Sequence, residues 1–141
     1  MLRPGTKVLI IEDDPYSARL LTDLLTSQSA IVDCENNGLT AIQRAQEDNF
    51  DLIILDLRIP GKNGFVVAED LRHNPATACL PIVVISAFAD RQNRLRAYQA
   101  GADIFLSKPI DTAELLFIVH NLTERKWKIQ QNLKNNSAYQ C

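Results

Sequence analysis

Short apolar runs punctuate the chain roughly every 20 to 25 residues, at Lys7–Ile11, Ala30–Cys34, Leu52–Leu55, Ile82–Ile85 and Ile104–Leu106. The central runs are apolar at every residue rather than at alternate ones, the pattern of parallel strands covered on both faces. Between them the period becomes helical. Tyr16–Ser27 carries Ala18, Leu20, Leu21, Leu24 and Leu25 as a narrow stripe, and Gly38–Gln46 carries Leu39, Ile42 and Ala45. Gly64–Arg72 carries Phe65, Val67, Ala68 and Leu71, and Asn74-Pro75 is a natural stop behind it. Asp90–Ala100 presents Leu95, Ala97, Tyr98 and Ala100, closed by Gly101 where a left-handed residue commonly ends a helix. Asp111 and Glu114 open the last helix in a capping-box pattern. Five alternating strand–helix units predict an α/β fold with a parallel sheet and right-handed crossovers.

The C-terminal part departs from this regularity. Leu115–Val119 is apolar all round, more than one buried face requires. Either the helix is deeply covered beneath the tail, or it forms an interface with a second copy or a partner. From Thr123 onward the composition shifts to Glu, Arg, Lys, Gln and Asn, with Trp127, Ile129 and Leu133 spaced so that a helix could continue. The expected organisation is an arm over 1–5, a domain over 6–122, and a docking tail or linker helix over 123–141.

Composition narrows the function classes. The 141 residues are 46% apolar and 23% charged, an ordinary globular balance able to bury a core. A formal charge of −2 supplies no basic field for a nucleic-acid backbone. Cys34, Cys79 and Cys141 form neither a disulfide framework nor a metal-ligand spacing. Cys34 and Cys79 read as small buried hydrophobes, and free thiols suit a reducing interior. The N-terminus lacks a signal-peptide core, and no apolar run approaches a membrane span. A soluble, cytoplasmic protein without membrane or nucleic-acid partners is expected. His73 and His120 are isolated and read as surface residues.

In a parallel sheet of this kind, ligands bind beyond the carboxyl ends of the strands. The first strand ends in Glu12-Asp13-Asp14, three acids that repel unless a cation or water neutralises them. Asp14, before Pro15, is equally well read as a helix cap. That reading does not account for Glu12 and Asp13. The third strand ends in Asp56, followed by Pro60 and Gly64 in a rigid loop. The fourth ends in Ser86-Ala87 and the fifth in Ser107-Lys108-Pro109. The Lys108 backbone is restricted by the proline, and the Lys108–Pro109 bond is a candidate for the cis form. Carboxylates, a hydroxyl and an ammonium thus converge from four strand ends. Clustered oxygens suit Mg²⁺ or Mn²⁺. A carboxylate facing that cation, a lysine and a hydroxyl is equipped to attack a phosphoryl group.

This set resembles the receiver domain of response regulators in two-component signalling, over roughly residues 6–122. Asp56, Ser86 and Lys108 stand 30 and 52 residues apart in order, with the acidic pair and the Asp-x-x-x-Pro-x-x-x-Gly loop. The resemblance implies a three-layer, flavodoxin-like sheet of order 2-1-3-4-5 with five helices. It implies Asp56 as phospho-acceptor, Asp13 and Asp56 as direct Mg²⁺ ligands with the Arg58 carbonyl, and Glu12 acting through water. Ser86 would bond the phosphoryl oxygen, Lys108 would pair with the same group, and Phe105 would take the place of the switch aromatic. Arg58 and Phe88 occupy two positions that tune phosphate lifetime in the family, and the bulk of Phe88 predicts slow self-dephosphorylation. The implied partners are a sensor histidine kinase or phosphotransfer protein, and a homodimer or output partner at the surface of the fourth helix, fifth strand and fifth helix. Arg91, Arg94 and Arg96 on the fourth helix read as a solvated face and a candidate partner surface.

Two other classes compete. An Asp-nucleophile, metal-dependent phosphatase would place a second acid two residues after the nucleophile, where Arg58 stands. A phosphorylation-independent pseudo-receiver scaffold would have lost some of the key side chains, and all are present.

Overall fold

The computed structural model describes residues 2–135. Cys141 and the end of the tail lie outside them. Five strands, β1 (Lys7–Ile11), β2 (Ile31–Glu35), β3 (Leu52–Asp56), β4 (Ile82–Ser86) and β5 (Ile104–Ser107), form one parallel sheet of order β2-β1-β3-β4-β5. The helices between and after them are α1 (Pro15–Thr26), α2 (Gly38–Glu47), α3 (Gly64–His73), α4 (Arg91–Ala100) and α5 (Thr112–Asn135).

The uninterrupted apolar runs are explained by two cores, one on each face of the sheet. Leu9, Ile11, Ile53, Leu55, Ile82 and Val84 point to the face covered by α2, α3 and α4. Val8, Ile10, Leu52, Ile54, Val83 and Ile85 point to the face covered by α1 and α5. Successive side chains alternate faces, so a strand buried on both sides must be apolar throughout. Edge strand β2 needs less cover, and its Ile31 is exposed while Asp33 pairs with Arg44.

Polar side chains set the helix starts. Asp14 accepts from the N–H groups of Tyr16 and Ser17, with Pro15 opening α1, so its capping role is realised. Asn37, Asn63 and Asp90 cap α2, α3 and α4 in the same way. Asp111 Oδ1 accepts from Glu114 N–H at 3.2 Å at the start of α5. Gly101 ends α4 with φ +114, a conformation that favours glycine.

Several expectations are corrected. On α4, Ala97 and Ala100 are buried, whereas Leu95 and Tyr98 are about half exposed. A ten-residue helix that touches the sheet through two alanines cannot also bury wider neighbours. On α1 and α2, Leu20 and Leu39 likewise face solvent. Arg91, Arg94 and Arg96 do form a solvated face, and Arg96 also lies over the Phe65 ring at 4.1 Å. Cys34 is an exposed free thiol at the rim of edge strand β2, on the α1 side, with its Sγ 3.3 Å from Thr22 Oγ1, and Cys79 is exposed and disulfide-bonded rather than a buried free thiol.

Helix α5 is not covered all round. Leu115, Val119 and Leu122 are buried, while Phe117 is 72% exposed. The helix runs unbroken past Thr123, and its extension is held by the N-terminal arm. Arg3 pairs with Glu124 at 2.7 Å and lies 3.7 Å over the Trp127 ring, and Lys126 pairs with Asp51 at 3.6 Å. Among the described residues, no helix is long and apolar enough to cross a membrane.

Candidate functional site

Each site residue ends a strand because the sheet stops where apolar cover stops. Glu12 follows β1, Asp56 closes β3, Ser86 closes β4, and Lys108 follows β5. The ladder continues just far enough to hold them. Glu12 N–H donates to Glu35 O at 3.0 Å, and Lys108 N–H donates to Ser86 O at 2.9 Å. The Lys108–Pro109 bond is cis.

The loop after β3 is held from two sides. Gly64 N–H donates to Leu57 O at 3.1 Å, and Gly38 N–H at the start of α2 donates to Pro60 O at 2.9 Å. A Cβ at Gly64 would come within 2.5 Å of Leu57 Cα and 2.8 Å of the Asp56 carbonyl oxygen. Only glycine allows α3 to start this close to the strand that carries Asp56.

At the centre, Lys108 Nζ lies 2.6 Å from Asp56 Oδ2 and 3.0 Å from Glu12 Oε2. Asp56 Oδ1 accepts from Arg58 N–H at 2.9 Å, and Glu12 Oε1 accepts from Asp14 N–H at 3.1 Å. Glu12 and Asp56 are buried, at 3% and 5% exposure. One ammonium therefore faces two buried carboxylates. Burial, then hydrogen bonding and repulsion from Asp56, push the Glu12 carboxyl up to about 7, against the opposing pull of Lys108. For Lys108, burial alone would lower its proton affinity, but its bonds to Asp56 and Glu12 prevail and hold it above the usual lysine range.

Beside this trio opens a cavity of about 590 Å³, lined by Asp13, Arg58, Asn63, Ser86, Phe88 and Asn93 among others. Glu12, Asp56 and Lys108 are thus in direct contact, while Asp13, Arg58 and Ser86 face the adjoining space. The Ser86 hydroxyl is turned to the next loop, where it accepts from Phe88 N–H at 3.0 Å. Phe105 is buried against the core between β5 and α4, and its N–H donates to Tyr98 Oη at 3.3 Å. Asn63 and Asn93 went unread in the sequence because turn and helix-start asparagines are common and carry no spacing signal of their own.

The donor set suits a hard divalent cation. The Glu12 and Asp56 carboxylates share the Lys108 ammonium, and Asp13 lines the cavity beside them. Among the described residues, no group of three His, Cys, Asp or Glu side chains is gathered as a complete cage. Mg²⁺ does not need one, since it is held by one or two carboxylates and keeps several waters.

The family model described as "Response regulator receiver domain" matches residues 8–120. The chain belongs to this family. Its five-stranded order and five helices are those of the solved relatives. A protein from Chloroflexus aurantiacus described as a response regulator superposes with a TM-score of 0.82 at 30% identity, covering 86% of this chain and 99% of that one. The receiver domain of the sensor histidine kinase PA1611 from Pseudomonas aeruginosa gives 0.80 at 28% identity, over 85% and 98%, and its structure has magnesium coordinated in the active-site cleft. Response regulator PleD of Caulobacter vibrioides is 36% identical over 127 residues, 90% of this chain and 28% of PleD. The chain spans less than two thirds of the length of the curated relatives it matches.

Proposed function

We propose that this receiver domain is a phospho-accepting switch that takes a phosphoryl group from a histidine kinase or phosphotransfer protein onto Asp56. The observation that carries the reading is the Lys108 ammonium 2.6 Å from a buried Asp56 carboxylate at the edge of an open cavity. Asp56 Oδ would attack phosphorus as the bond to the donor imidazole nitrogen breaks, and the electron pair stays on that nitrogen. Little covalent chemistry is asked of the protein, so positioning and charge stabilisation carry the rate. Asp13, Asp56 and the Arg58 carbonyl would hold Mg²⁺, with Glu12 acting through water and Mn²⁺ as the alternative ion. The cation supplies neutralisation of the phosphoryl oxygens. Lys108 adds a second positive charge, and the Ser86 hydroxyl donates to a phosphoryl oxygen once it turns from the Phe88 loop.

The readout proposed is a change at the α4-β5-α5 surface, with Phe105 packing into the space that Ser86 leaves. Leu95, Tyr98 and Phe117 supply exposed apolar area there for a second copy or an output partner. Residues 6–122 would be the receiver unit, and a cytoplasmic setting fits a kinase donor. The domain would catalyse only its own phosphorylation and dephosphorylation. Phe88 crowds the approach of water, so the phosphoryl group should last minutes or longer.

Acetyl phosphate with Mg²⁺, followed by intact mass, tests the reading. Wild type gains one phosphoryl group and Asp56→Asn gains none. Equal labelling of both proteins, or a half-life of seconds on the wild type, contradicts the respective claim.

A further inference from the structure

The loops after β3 and β4 meet over the site through two side chains, Arg58 and Phe88. The Arg58 guanidinium lies 3.6 Å from the centre of the Phe88 ring, a close cation–π contact. Both residues are exposed, so burial does not drive them together. Each half of the stack is also tied to the chemistry. Arg58 N–H donates to Asp56 Oδ1 at 2.9 Å, and Phe88 N–H donates to Ser86 Oγ at 3.0 Å. The acceptor carboxylate and the hydroxyl that must reach a phosphoryl group are each one hydrogen bond away from the same contact.

We propose that the Arg58–Phe88 stack is a latch: it positions Ser86 away from Asp56 before phosphorylation and, on opening, releases Arg58 toward the phosphoryl oxygens. The inference rests on the phospho-acceptor reading of Asp56. Ser86 cannot shift toward Asp56 without either breaking its bond to Phe88 N–H or carrying that loop along. If the loop follows, the ring leaves the guanidinium. A freed guanidinium is a planar fork of donors matched to phosphoryl oxygens, and it sits two residues from the acceptor. The same charge therefore opposes the move in one state and rewards it in the other. Phe88 is a positioning residue that acts through Ser86, whereas Arg58 holds the stack in one state and meets the phosphoryl oxygens in the other.

Beryllofluoride with Mg²⁺, a phosphoryl mimic, tests the latch when titrated calorimetrically into the full chain. Phe88→Ala should tighten its binding about two- to five-fold, the range expected from losing an exposed cation–π contact. In an Arg58→Gln background the same Phe88→Ala change should have no effect, because no stack remains to open. Phe88→Tyr keeps a ring and should bind like wild type. Metal-free melting temperatures should fall by only about 2–4 °C in Phe88→Ala and in Arg58→Gln, the stability the same contact gives the resting state, and should not fall in Phe88→Tyr. An equal effect of Phe88→Ala in both backgrounds, or none in either, overturns the latch. Failure of the wild type to bind beryllofluoride, matching Asp56→Asn, would instead overturn the phospho-acceptor reading.

Discussion

The proton affinity of Glu12 makes the metal-free domain less stable as pH rises, and Glu12→Gln should abolish that dependence. Glu12's side chain is 1% exposed and shares Lys108 with Asp56. Its carboxyl is raised by burial, and then by Asp56, from 4.5 to about 7. The folded state thus holds this proton more tightly than the unfolded chain does. Stability from Glu12 is complete below about pH 4.5, falls across the window between the two values, and is gone above about 7. At about 1.4 kcal/mol for each tenfold change in proton affinity, the total is about 3 kcal/mol. That is a large share of the 5–15 kcal/mol typical of a domain. Asp14, Asp48 and Glu124 have lowered values through their bonds to Ser17, Lys7 and Arg3, and they act with the opposite sign in acid. Comparison with Glu12→Gln cancels them. Urea unfolding in EDTA from pH 5 to 8 should show the variant near wild type at pH 5 and more stable by about 3 kcal/mol at pH 8. Saturating Mg²⁺ should shrink the wild-type slope, because the cation favours the ionised carboxylates. Parallel curves for the two proteins across the range would refute the account of the buried trio.

Lys108→Ala removes the ammonium that pairs with Asp56 and should slow labelling by acetyl phosphate about 100-fold, followed by intact mass over time. Gly64→Ala would force a Cβ against Leu57 and the Asp56 carbonyl. It should cost about 1–3 kcal/mol, read from urea midpoints. Shortening the chain to residues 1–122 removes the Glu124 and Lys126 ion pairs and the Arg3–Trp127 contact. With reductant present throughout, so that the Cys79 disulfide stays out of the comparison, exposed contacts of this kind contribute little and the loss should be about 1–2 kcal/mol with a single transition retained. A truncated chain that fails to fold would show that the domain does not end near residue 122.

Much of this architecture is legible along the chain because its signals are local. The apolar strands Leu52–Leu55 and Ile82–Ile85 must be covered on both faces, and Asp14, Asp90, Asp111 and Gly101 mark helix ends through bonds made within a few residues. Glu12, Asp56, Ser86 and Lys108 can be placed at one end of the sheet because parallel strands all present their carboxyl ends to the same side. What the neighbours of those residues do is a different matter. That Lys108 reaches both buried acids and that Arg58 stacks on Phe88 depend on contacts between segments about 30 to nearly 100 residues apart. Exposure is also a tertiary property. Leu95, Tyr98 and Cys34 look like core in sequence, yet a helix resting on two alanines and a place at the rim of an edge strand leave them outside. Periodicity reports which residues share a side, but only packing decides whether anything lies against it.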